Sequence, residues 1–443
     1  MDDLNIKILS RELIKPSHPT PEKLQSCKLS LFDQLAPPTY IRIILCYSIT
    51  TDVDTRAQKA ERLKSSLSES LTKFYPLAGR IVEDEFSIDC NDHGVEYLEA
   101  EVDGDLADFI DKGFEIKQLD QFMPDHAADA DFSIRPLAAF RVNFFGCGGV
   151  AIGLSISHKI ADTSSVVSFL NGWANTSRLG IDKLPISPSF DVSSFFPVSE
   201  YCKVNLLKLL LNLGPKIVSR RFLFQEAKIS KFRTIFMDAF PVSGNSSING
   251  QPSRVTLVNA VIWKALINTS QAKHGNLRPS LLCPAIGLRG KTVVPLTERS
   301  FGNFWFPVGA HYEGKASKLE LHELVFILDK AVKRTAENIK KASRDEIFMM
   351  ATEAFKKMVD EKLINNEVDT FICTSWSRFP LNEVDFGWGQ PCKVSSLKRP
   401  YEMFTLLDSK NGDIEALVCL NENDMPRFEH DPDVLALTYS SDN

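Results

Sequence analysis

One short part of the sequence puts a strand pattern, a histidine and a helix pattern in immediate succession. Val150 to Ser157 alternates larger and smaller residues, which is typical of a β-strand with one face more buried. Cap-forming residues at Thr163 to Ser165 then open a stretch whose apolar residues follow a helical spacing. A strand that leads into a helix is the building unit of α/β and α+β folds. His158 lies just past the end of this strand.

Similar alternation continues along the rest of the chain. Leucines at helical spacing predict an amphipathic helix from Ala57 to Phe74. Strand and helix patterns follow one another without a dominant repeat, so the predicted fold class is α/β. In the second half we predict a strand at Thr234 to Phe240, a helix at Thr256 to Thr269, and a largely helical stretch from Leu319 to Asp360.

The length of the chain predicts two domains. A chain of 443 residues exceeds what one hydrophobic core usually organises, and its 44% hydrophobic residues suffice for two cores. A Leu-rich piece from Val204 to Val218 interrupts the strand–helix rhythm. We therefore predict an N-terminal domain over residues 1–203, a crossover over 204–221 and a C-terminal domain over 222–443. Two domains favour a ligand site between them.

Charge, termini and cysteines narrow the partners and the compartment. A net charge of -6 with mixed signs argues against a nucleic-acid-binding surface. The acidic start of the chain lacks an apolar targeting segment, and no run of about 18 uncharged apolar residues follows. Nine scattered cysteines, never spaced as Cys-x-x-Cys, fit neither a disulfide framework nor a zinc site. We expect a monomeric cytoplasmic protein with no metal and no membrane segment.

Common cofactor and nucleophile motifs are missing from the sequence. The chain contains no Gly-x-Ser-x-Gly elbow and no Gly-x-Gly-x-x-Gly turn. Gly290-Lys291-Thr292 matches the end of a Walker loop, but Ala285 stands where its first glycine belongs. ATP, NAD and a serine nucleophile are therefore disfavoured, and we expect no permanently bound cofactor.

Among eight histidines, His158 has the most informative position, because α/β proteins place ligand sites at the carboxyl ends of strands. A neutral imidazole is mostly basic near neutral pH, so His158 is a candidate general base, with a hydrogen-bonded structural histidine as the alternative. Asp162 could orient the imidazole as in a catalytic triad. Because the helix begins there, we favour an N-cap or ion-pair role for Asp162.

Two tracts taken together resemble the paired signatures of the plant BAHD acyltransferases. His158-Lys159-Ile160-Ala161-Asp162 resembles the family's His-x-x-x-Asp, and Asp385-Phe386-Gly387-Trp388-Gly389 resembles its Asp-Phe-Gly-Trp-Gly. By itself the second tract predicts only a tight, packed loop. Further tracts agree across essentially the whole chain, among them Phe74 to Arg80, Gly302-Asn303 and Phe428 to Pro432.

The resemblance implies a fold and a reaction. The fold would consist of two domains similar to chloramphenicol acetyltransferase, with a solvent channel at their interface. Acetyl-CoA or another acyl-CoA would act as co-substrate and form a ternary complex with a small-molecule acceptor, without an acyl-enzyme. His158 would be the base, and Thr374 and Trp376 would stabilise the oxyanion. From the residues alone, Thr374 and Trp376 offer only a hydroxyl and an indole N–H.

The resemblance also implies structural roles for both signature acids. Asp162 would point away from His158 toward Arg289. Asp385, together with Gly387 and Trp388, would stabilise its own loop.

Binding residues follow from the same resemblance. Ser253 and Arg254 match the place where the family meets the 3'-phosphate of coenzyme A. The acceptor pocket is expected to include Tyr40, Phe304 and Trp305. N-terminal tracts look like those of the alkaloid O-acetyltransferase branch, which favours acetyl transfer to an alkaloid alcohol. Malonyl-CoA as donor, an amine as acceptor, and a non-catalytic small-molecule binder on the same fold are the alternatives.

Overall fold

The computed structural model describes residues 5–48, 55–111, 116–124, 135–181, 187–199, 216–239, 251–315, 318–363, 367–409 and 411–438. The strands in these ranges are β1 (Ile6–Ile14), β2 (Ser26–Lys28), β3 (Tyr40–Tyr47), β4 (Arg80–Val82), β5 (Ser87–Asp89), β6 (Val95–Val102), β7 (Ala138–Phe145), β8 (Val150–Ser157), β9 (Ile217–Phe224), β10 (Ser280–Gly287), β11 (Trp305–Pro307), β12 (Ala310–Tyr312), β13 (Asp369–Ser375), β14 (Lys393–Ser396), β15 (Met403–Asp408) and β16 (Ile414–Asn421). The helices are α1 (Leu31–Leu35), α2 (Arg56–Lys73), α3 (Leu106–Asp111), α4 (Ile116–Asp120), α5 (Thr163–Leu179), α6 (Val192–Phe195), α7 (Glu226–Ala239), α8 (Arg254–His274), α9 (Leu321–Lys341), α10 (Arg344–Leu363), α11 (Met425–Glu429) and α12 (Pro432–Leu437). The α/β prediction is confirmed.

The chain divides into two compact units. The first comprises Met1–Lys203, Leu296–Phe304 and Phe379–Leu397, and the second comprises Val204–Pro295, Trp305–Arg378 and Lys398–Asn443. The predicted C-terminal domain over 222–443 is therefore wrong in one respect, because two of its segments belong to the first unit. The physical reason is strand pairing, since β14 lies antiparallel beside β3. The Asp385 to Gly389 tract consequently belongs to the first unit.

The predicted crossover over 204–221 also needs correction. Residues 204–215 lie outside the described ranges. From Ile217 onward the chain forms β9, which pairs antiparallel with β16. The sheet of the second unit therefore begins before residue 222. The sequence did not reveal this edge strand, because Ile217 to Phe224 lacks a clean alternation of apolar and polar residues.

The first unit is built on a six-stranded sheet in the order β1-β6-β7-β8-β3-β14. β6 and β7 run parallel, and the other neighbouring strands run antiparallel. β7 and β8 are buried at every position, as expected for central strands covered on both faces. The strand predicted at Val150 to Ser157 is confirmed as β8. A smaller sheet has the order β2-β5-β4.

Helices α2 and α5 pack against each other in this unit. The predicted helix from Ala57 to Phe74 is confirmed as α2, whose Leu63, Leu67 and Leu71 are fully buried. Trp173 of α5 is also fully buried, and its indole N–H donates to the carbonyl of Leu63 over 3.2 Å. Each such buried apolar side chain contributes about 1.5–3 kcal/mol to folding. This packing fixes α5, whose first residue follows the His158 turn.

The second unit has its own sheet, in the order β11-β10-β13-β15-β16-β9, with β12 also paired to β10. β13 lies between two parallel neighbours, β10 and β15. The helix predicted at Thr256 to Thr269 is confirmed as the longer α8, and the predicted helical stretch from Leu319 to Asp360 corresponds to α9 and α10. None of the helices in the described ranges is both long and apolar enough to cross a membrane.

The strand predicted at Thr234 to Phe240 is wrong, because the chain up to Ala239 forms α7. Ile229 and Phe236 are buried, and Phe232 packs against the same core. These positions follow a helical spacing that begins before Thr234, so a window starting there misses the helix. Phe240 lies outside the described residues.

Candidate active site

His158 follows the last residue of β8 and is partly exposed. Its main-chain N–H donates to the carbonyl of Thr39 over 2.8 Å. Tyr40, the first residue of β3, lies opposite Ser157 in the antiparallel pairing of β3 with β8. The backbone at His158 is thus held between the start of β3 and the end of β8, and the residue as a whole is partly exposed.

The imidazole of His158 has a defined hydrogen-bond partner. Its Nδ1 lies 3.0 Å from Oδ1 of Asn303. Nδ2 of Asn303 donates to the carbonyl of His158 over 2.7 Å and to Oδ1 of Asp33 over 2.9 Å, so the amide must present its carbonyl oxygen to the imidazole. An amide oxygen only accepts, and Nδ1 of His158 therefore carries the proton. Nε2 is left with a lone pair, which is the form a general base requires.

Asp33 anchors this arrangement from helix α1. Its Oδ1 also accepts the main-chain N–H of Asn303 over 2.8 Å. Its Oδ2 accepts the main-chain N–H of Ser30 over 2.8 Å and the Ser30 hydroxyl over 2.7 Å. Burial raises the pKa of Asp33, whereas the hydrogen bonds from Ser30 and Asn303 act in the opposite direction.

Asp162 is the N-cap of α5. Its Oδ1 accepts the main-chain N–H of Ser165 over 3.0 Å. Its Oδ2 accepts the main-chain N–H of Phe304 over 3.0 Å. The carboxylate thus ties the start of α5 to the segment that carries Asn303.

Gly302 closes the same junction and needs a backbone that only glycine adopts easily, with φ of 132°. Its carbonyl accepts the Ser165 hydroxyl over 2.8 Å. The next residues then alternate: Asn303 faces His158, and Phe304 turns into the core.

Phe304 corrects the expected acceptor pocket. Its side chain is fully buried, with ring centroids 5.2 Å from Phe32 and 5.5 Å from Phe196. The main-chain N–H of Phe304 bonds to Asp162, and the ring packs into this aromatic cluster, where it has no exposed surface among the described residues. Sequence reasoning recognised an apolar aromatic residue but not which way it points.

Tyr40 retains a position compatible with its predicted role. It is partly exposed and adjoins the His158 turn through its strand partner Ser157. Its hydroxyl donates to the carbonyl of Pro136 over 3.1 Å. Burial raises the pKa of Tyr40, so the phenol stays neutral and offers a polar edge on an apolar ring.

The Asp385 to Gly389 tract forms a self-contained loop in the first unit. Oδ1 of Asp385 accepts the N–H groups of Gly387 over 2.8 Å and Gly389 over 2.9 Å. Both glycines have positive φ angles, 110° and 101°. A Cβ at either position would be strained, which accounts for the two glycines.

Aromatic packing and two cations hold this loop in place. Phe386 stacks on Trp388, and its ring contacts Trp173 of α5 at 4.8 Å between centroids. The Arg62 guanidinium lies 5.0 Å above the Trp388 ring, and Lys59 lies 5.6 Å above it. The loop therefore packs against α2 and α5.

Thr374 and Trp376, the candidate oxyanion donors, lie at and just beyond the end of β13 in the second unit. Thr374 is partly exposed and lies opposite Thr405 of β15. The main-chain N–H of Trp376 donates to Leu406 over 2.7 Å, which fixes its backbone. The Arg399 guanidinium lies 5.9 Å from the centre of the Trp376 ring.

Ser253 and Arg254 lie at the start of α8 in the second unit. The Ser253 hydroxyl is the N-cap and accepts the N–H of Thr256 over 3.0 Å. Arg254 donates to the carbonyl of Gly412 and lies 3.7 Å from Asp408. A helix N-terminus and a nearby cation suit an anion, although Asp408 competes for the guanidinium.

Arg289 and Trp305 also belong to the second unit. Arg289 is buried and lies two residues beyond β10. Trp305 begins β11 opposite Gly287, and its ring packs edge-on against Phe355 with centroids 5.1 Å apart.

Cys27, which lies near Asp33, is not suited to act as a nucleophile. Burial, together with the nearby Asp33, raises the pKa of Cys27 to about 12. The thiol therefore stays protonated near neutral pH and is a poor nucleophile.

Sequence reasoning missed the roles of Asn303 and Asp33. Gly302-Asn303 stood out only as a tract that resembles the family. The spacing Ser30-x-x-Asp33 is a capping-box signal at the start of a helix, and the structure shows that both of its halves form. Nothing in the sequence shows that the same carboxylate also reaches a residue far along the chain.

The chain is similar to known proteins over nearly its whole length. The chain matches the family described as Transferase family over residues 4–435. It is 33% identical to limonoid 21-O-acetyltransferase of Melia azedarach over 98% of each chain. It is 34% identical to stemmadenine O-acetyltransferase of Catharanthus roseus over 96% of each chain. The crystal structure of vinorine synthase matches with a TM-score of 0.82 and 32% identity, over 98% of this chain and 99% of that chain.

The family match and the fold define an acyltransferase. The chain belongs to the BAHD family of acyl-CoA-dependent transferases, and the resemblance inferred from the two signature tracts is confirmed. It is therefore an enzyme of the acyltransferase class with the fold of vinorine synthase.

Proposed function

We propose that this enzyme transfers an acetyl group from acetyl-CoA to a hydroxyl of a plant alkaloid, with His158 as general base. The observation that carries the proposal is the bond between Nδ1 of His158 and Oδ1 of Asn303. It keeps the proton on Nδ1 and the lone pair on Nε2, at a partly exposed position after a buried strand.

The proposed reaction is a direct transfer. As the acceptor oxygen bonds to the thioester carbon, its proton moves to Nε2 of His158, and the carbonyl electrons move to oxygen. The tetrahedral intermediate then collapses, reforms the carbonyl and breaks the C–S bond. The leaving thiolate takes the proton from the His158 imidazolium, which regenerates the base and yields free coenzyme A. Holding both substrates together supplies a large share of the rate gain.

We assign oxyanion stabilisation to the hydroxyl of Thr374 and the indole N–H of Trp376. Both are hydrogen-bond donors of the required type, and strand pairing fixes the Trp376 backbone. Removing one oxyanion donor typically costs about 100- to 1000-fold in kcat.

We assign the 3'-phosphate of coenzyme A to Ser253 and Arg254. Support comes from the N-terminus of a 21-residue helix and from the adjacent guanidinium. For phosphate to bind, Arg254 has to share its charge with Asp408 or turn away from it. The expected consequence is a salt-dependent KM for acetyl-CoA.

The acetyl donor and the alkaloid acceptor rest on the relatives and on the pocket. Acetyltransferases occur among the relatives, including the stemmadenine O-acetyltransferase. The partly exposed Tyr40 offers an aromatic edge beside the His158 turn, a surface suited to a polycyclic amine. Trp305 is the second expected pocket residue.

The decisive experiment combines purified protein with acetyl-CoA or malonyl-CoA and a panel of polycyclic alkaloid alcohols, with product masses read directly. We expect an acetylated product that forms only when the acceptor carries a free hydroxyl. The matched control is the same alkaloid without that hydroxyl, and His158→Gln protein serves as the enzyme control.

The other outcomes separate the alternatives. A malonylated product would show that malonyl-CoA, not acetyl-CoA, is the donor. Acylation of amines alone would show that the enzyme is an N-acyltransferase. Binding of the alkaloids without any acyl transfer across the panel would contradict the proposal and favour a non-catalytic binder.

A further inference from the structure

A short chain of hydrogen bonds links helix α1 to the proposed catalytic base. Asp33 bonds to Asn303 over 2.8 and 2.9 Å, and Asn303 bonds to His158 over 3.0 and 2.7 Å. All three residues belong to the first unit. We infer that Asp33 is a positioning residue that sets the tautomer and ring orientation of His158 through the amide of Asn303. This inference rests on the proposed role of His158 as base.

Asp33 Oδ1 determines which way the Asn303 amide faces. The main-chain N–H of Asn303 can only donate, so Oδ1 must accept. The same oxygen then takes a second bond from Nδ2, which turns the amide oxygen toward His158. An amide rotated by half a turn would present Nδ2 to Nδ1 of His158 and favour the opposite tautomer, with the proton on Nε2.

The carbonyl of His158 supplies a second constraint on the same amide, because it also accepts from Nδ2. Asp33 is therefore one of two restraints, and its removal should weaken the preference for one tautomer without abolishing it. In metal sites, outer hydrogen-bond partners of ligating histidines contribute about 10- to 100-fold to activity, and we expect an effect of similar size here.

Asp33 is itself rigidly held, as a positioning residue must be. It is 5% exposed, and Ser30 fixes its other oxygen with two hydrogen bonds. The titratable group that faces it from β2 is Cys27, which remains a neutral thiol. Burial raises the pKa of Asp33. The role does not depend on its charge, since a proton on Oδ2 would leave both bonds of Oδ1 to Asn303 intact.

Ser30 provides a matched control. Ser30→Ala removes one bond to Oδ2 of Asp33 and weakens the cap of α1, but it leaves both bonds between Asp33 and Asn303. If Asp33 only stabilises the start of α1, Asp33→Ala and Ser30→Ala should lose similar amounts of stability and of activity. A positioning role predicts that the tautomer of His158 changes only in Asp33→Ala.

The test measures imidazole nitrogen signals in protein labelled with ¹⁵N-histidine, with the His158 signals identified by their loss in His158→Gln. Wild-type protein and Ser30→Ala should show the proton on Nδ1. Asp33→Ala should show a mixture of both tautomers and a kcat lower by about 10- to 100-fold at an unchanged KM. Asp33→Asn, which keeps an oxygen for Asn303 and serves if Asp33→Ala does not fold, should shift the same signals less.

The inference would be overturned if both Asp33 variants kept the wild-type tautomer signals and the wild-type kcat. It would also be overturned if the Asp33 variants lost stability with no change in the tautomer of His158. The nitrogen signals need no substrate. If the wild-type enzyme transfers no acyl group, the proposed function fails while the link from Asp33 to His158 is still decided.

Discussion

The His158 to Asp162 turn and the Asp385 to Gly389 loop both place a carboxylate against main-chain N–H groups, but in different surroundings. Asp162 is buried and joins two separate chain segments through Ser165 and Phe304. Asp385 is partly exposed, and one of its oxygens binds two N–H groups of its own loop. The comparison shows that both acids bind main-chain N–H groups, but Asp162 joins two distant segments of the chain, whereas Asp385 bridges residues of its own loop.

His158→Gln should produce the largest effect of any change in the two tracts. Loss of the base should lower kcat by about 100- to 10,000-fold. Thermal unfolding should stay close to wild type, since the imidazole is partly exposed and its main-chain bond to Thr39 remains. Steady-state kinetics and a melting curve on the same sample check this; a normal kcat would remove the chemical role from the first tract.

Asp162→Ala should lower both stability and activity. It leaves the N–H of Phe304 without its buried acceptor and removes the cap of α5. These losses together cost about 2–4 kcal/mol of unfolding free energy. Because the Phe304 segment also carries Asn303, kcat should fall in protein that is still folded. Urea unfolding and kcat decide the point, and a lower kcat at unchanged stability would mean that Asp162 acts on the chemistry directly.

Asp385→Ala should lower the free energy of unfolding by about 1–2 kcal/mol, which is less than the loss in Asp162→Ala, because the freed N–H groups of Gly387 and Gly389 lie on exposed residues. The aromatic contacts of Phe386 and Trp388 remain. We expect kcat per folded molecule to stay near wild type, as measured by kinetics normalised to the folded fraction. A loss of kcat as large as that of Asp162→Ala would erase the difference between the two tracts.

Arg178→Gln should have the smallest effect. Arg178 lies 3.5 Å from Asp385, and its side chain is 45% exposed. Ion pairs in such surroundings contribute less than about 1 kcal/mol. Denaturant midpoints with and without added salt check the prediction, and a cost above that of Asp385→Ala would show that the arginine does more than pair with this acid.

Patterns within a single element were predictable from the sequence. The alternation in β8, the leucine stripe of α2 and the cap residues before α5 each depend on neighbouring residues, and all three elements form as predicted. The second half of helix α7 was mistaken for a β-strand, because its apolar residues follow a helical spacing that begins before Thr234.

Contacts between distant segments were not predictable in this way. The pairing of β14 with β3 moves the Asp385 loop into the first unit, and the bond from Asp33 to Asn303 joins residues far apart in the chain. The direction of Phe304 likewise depends on its bond to Asp162. Such contacts arise from packing, for which a single sequence carries no local signal.

Chemical rescue of His158→Ala tests the general-base role most directly. The variant is assayed with acetyl-CoA and with the alkaloid alcohol from the panel that the wild-type enzyme acylates, over a series of imidazole concentrations and pH values. We predict that activity is nearly absent without imidazole and rises in proportion to the concentration of its free base. Wild-type activity of His158→Ala without imidazole would contradict the role of His158 as base.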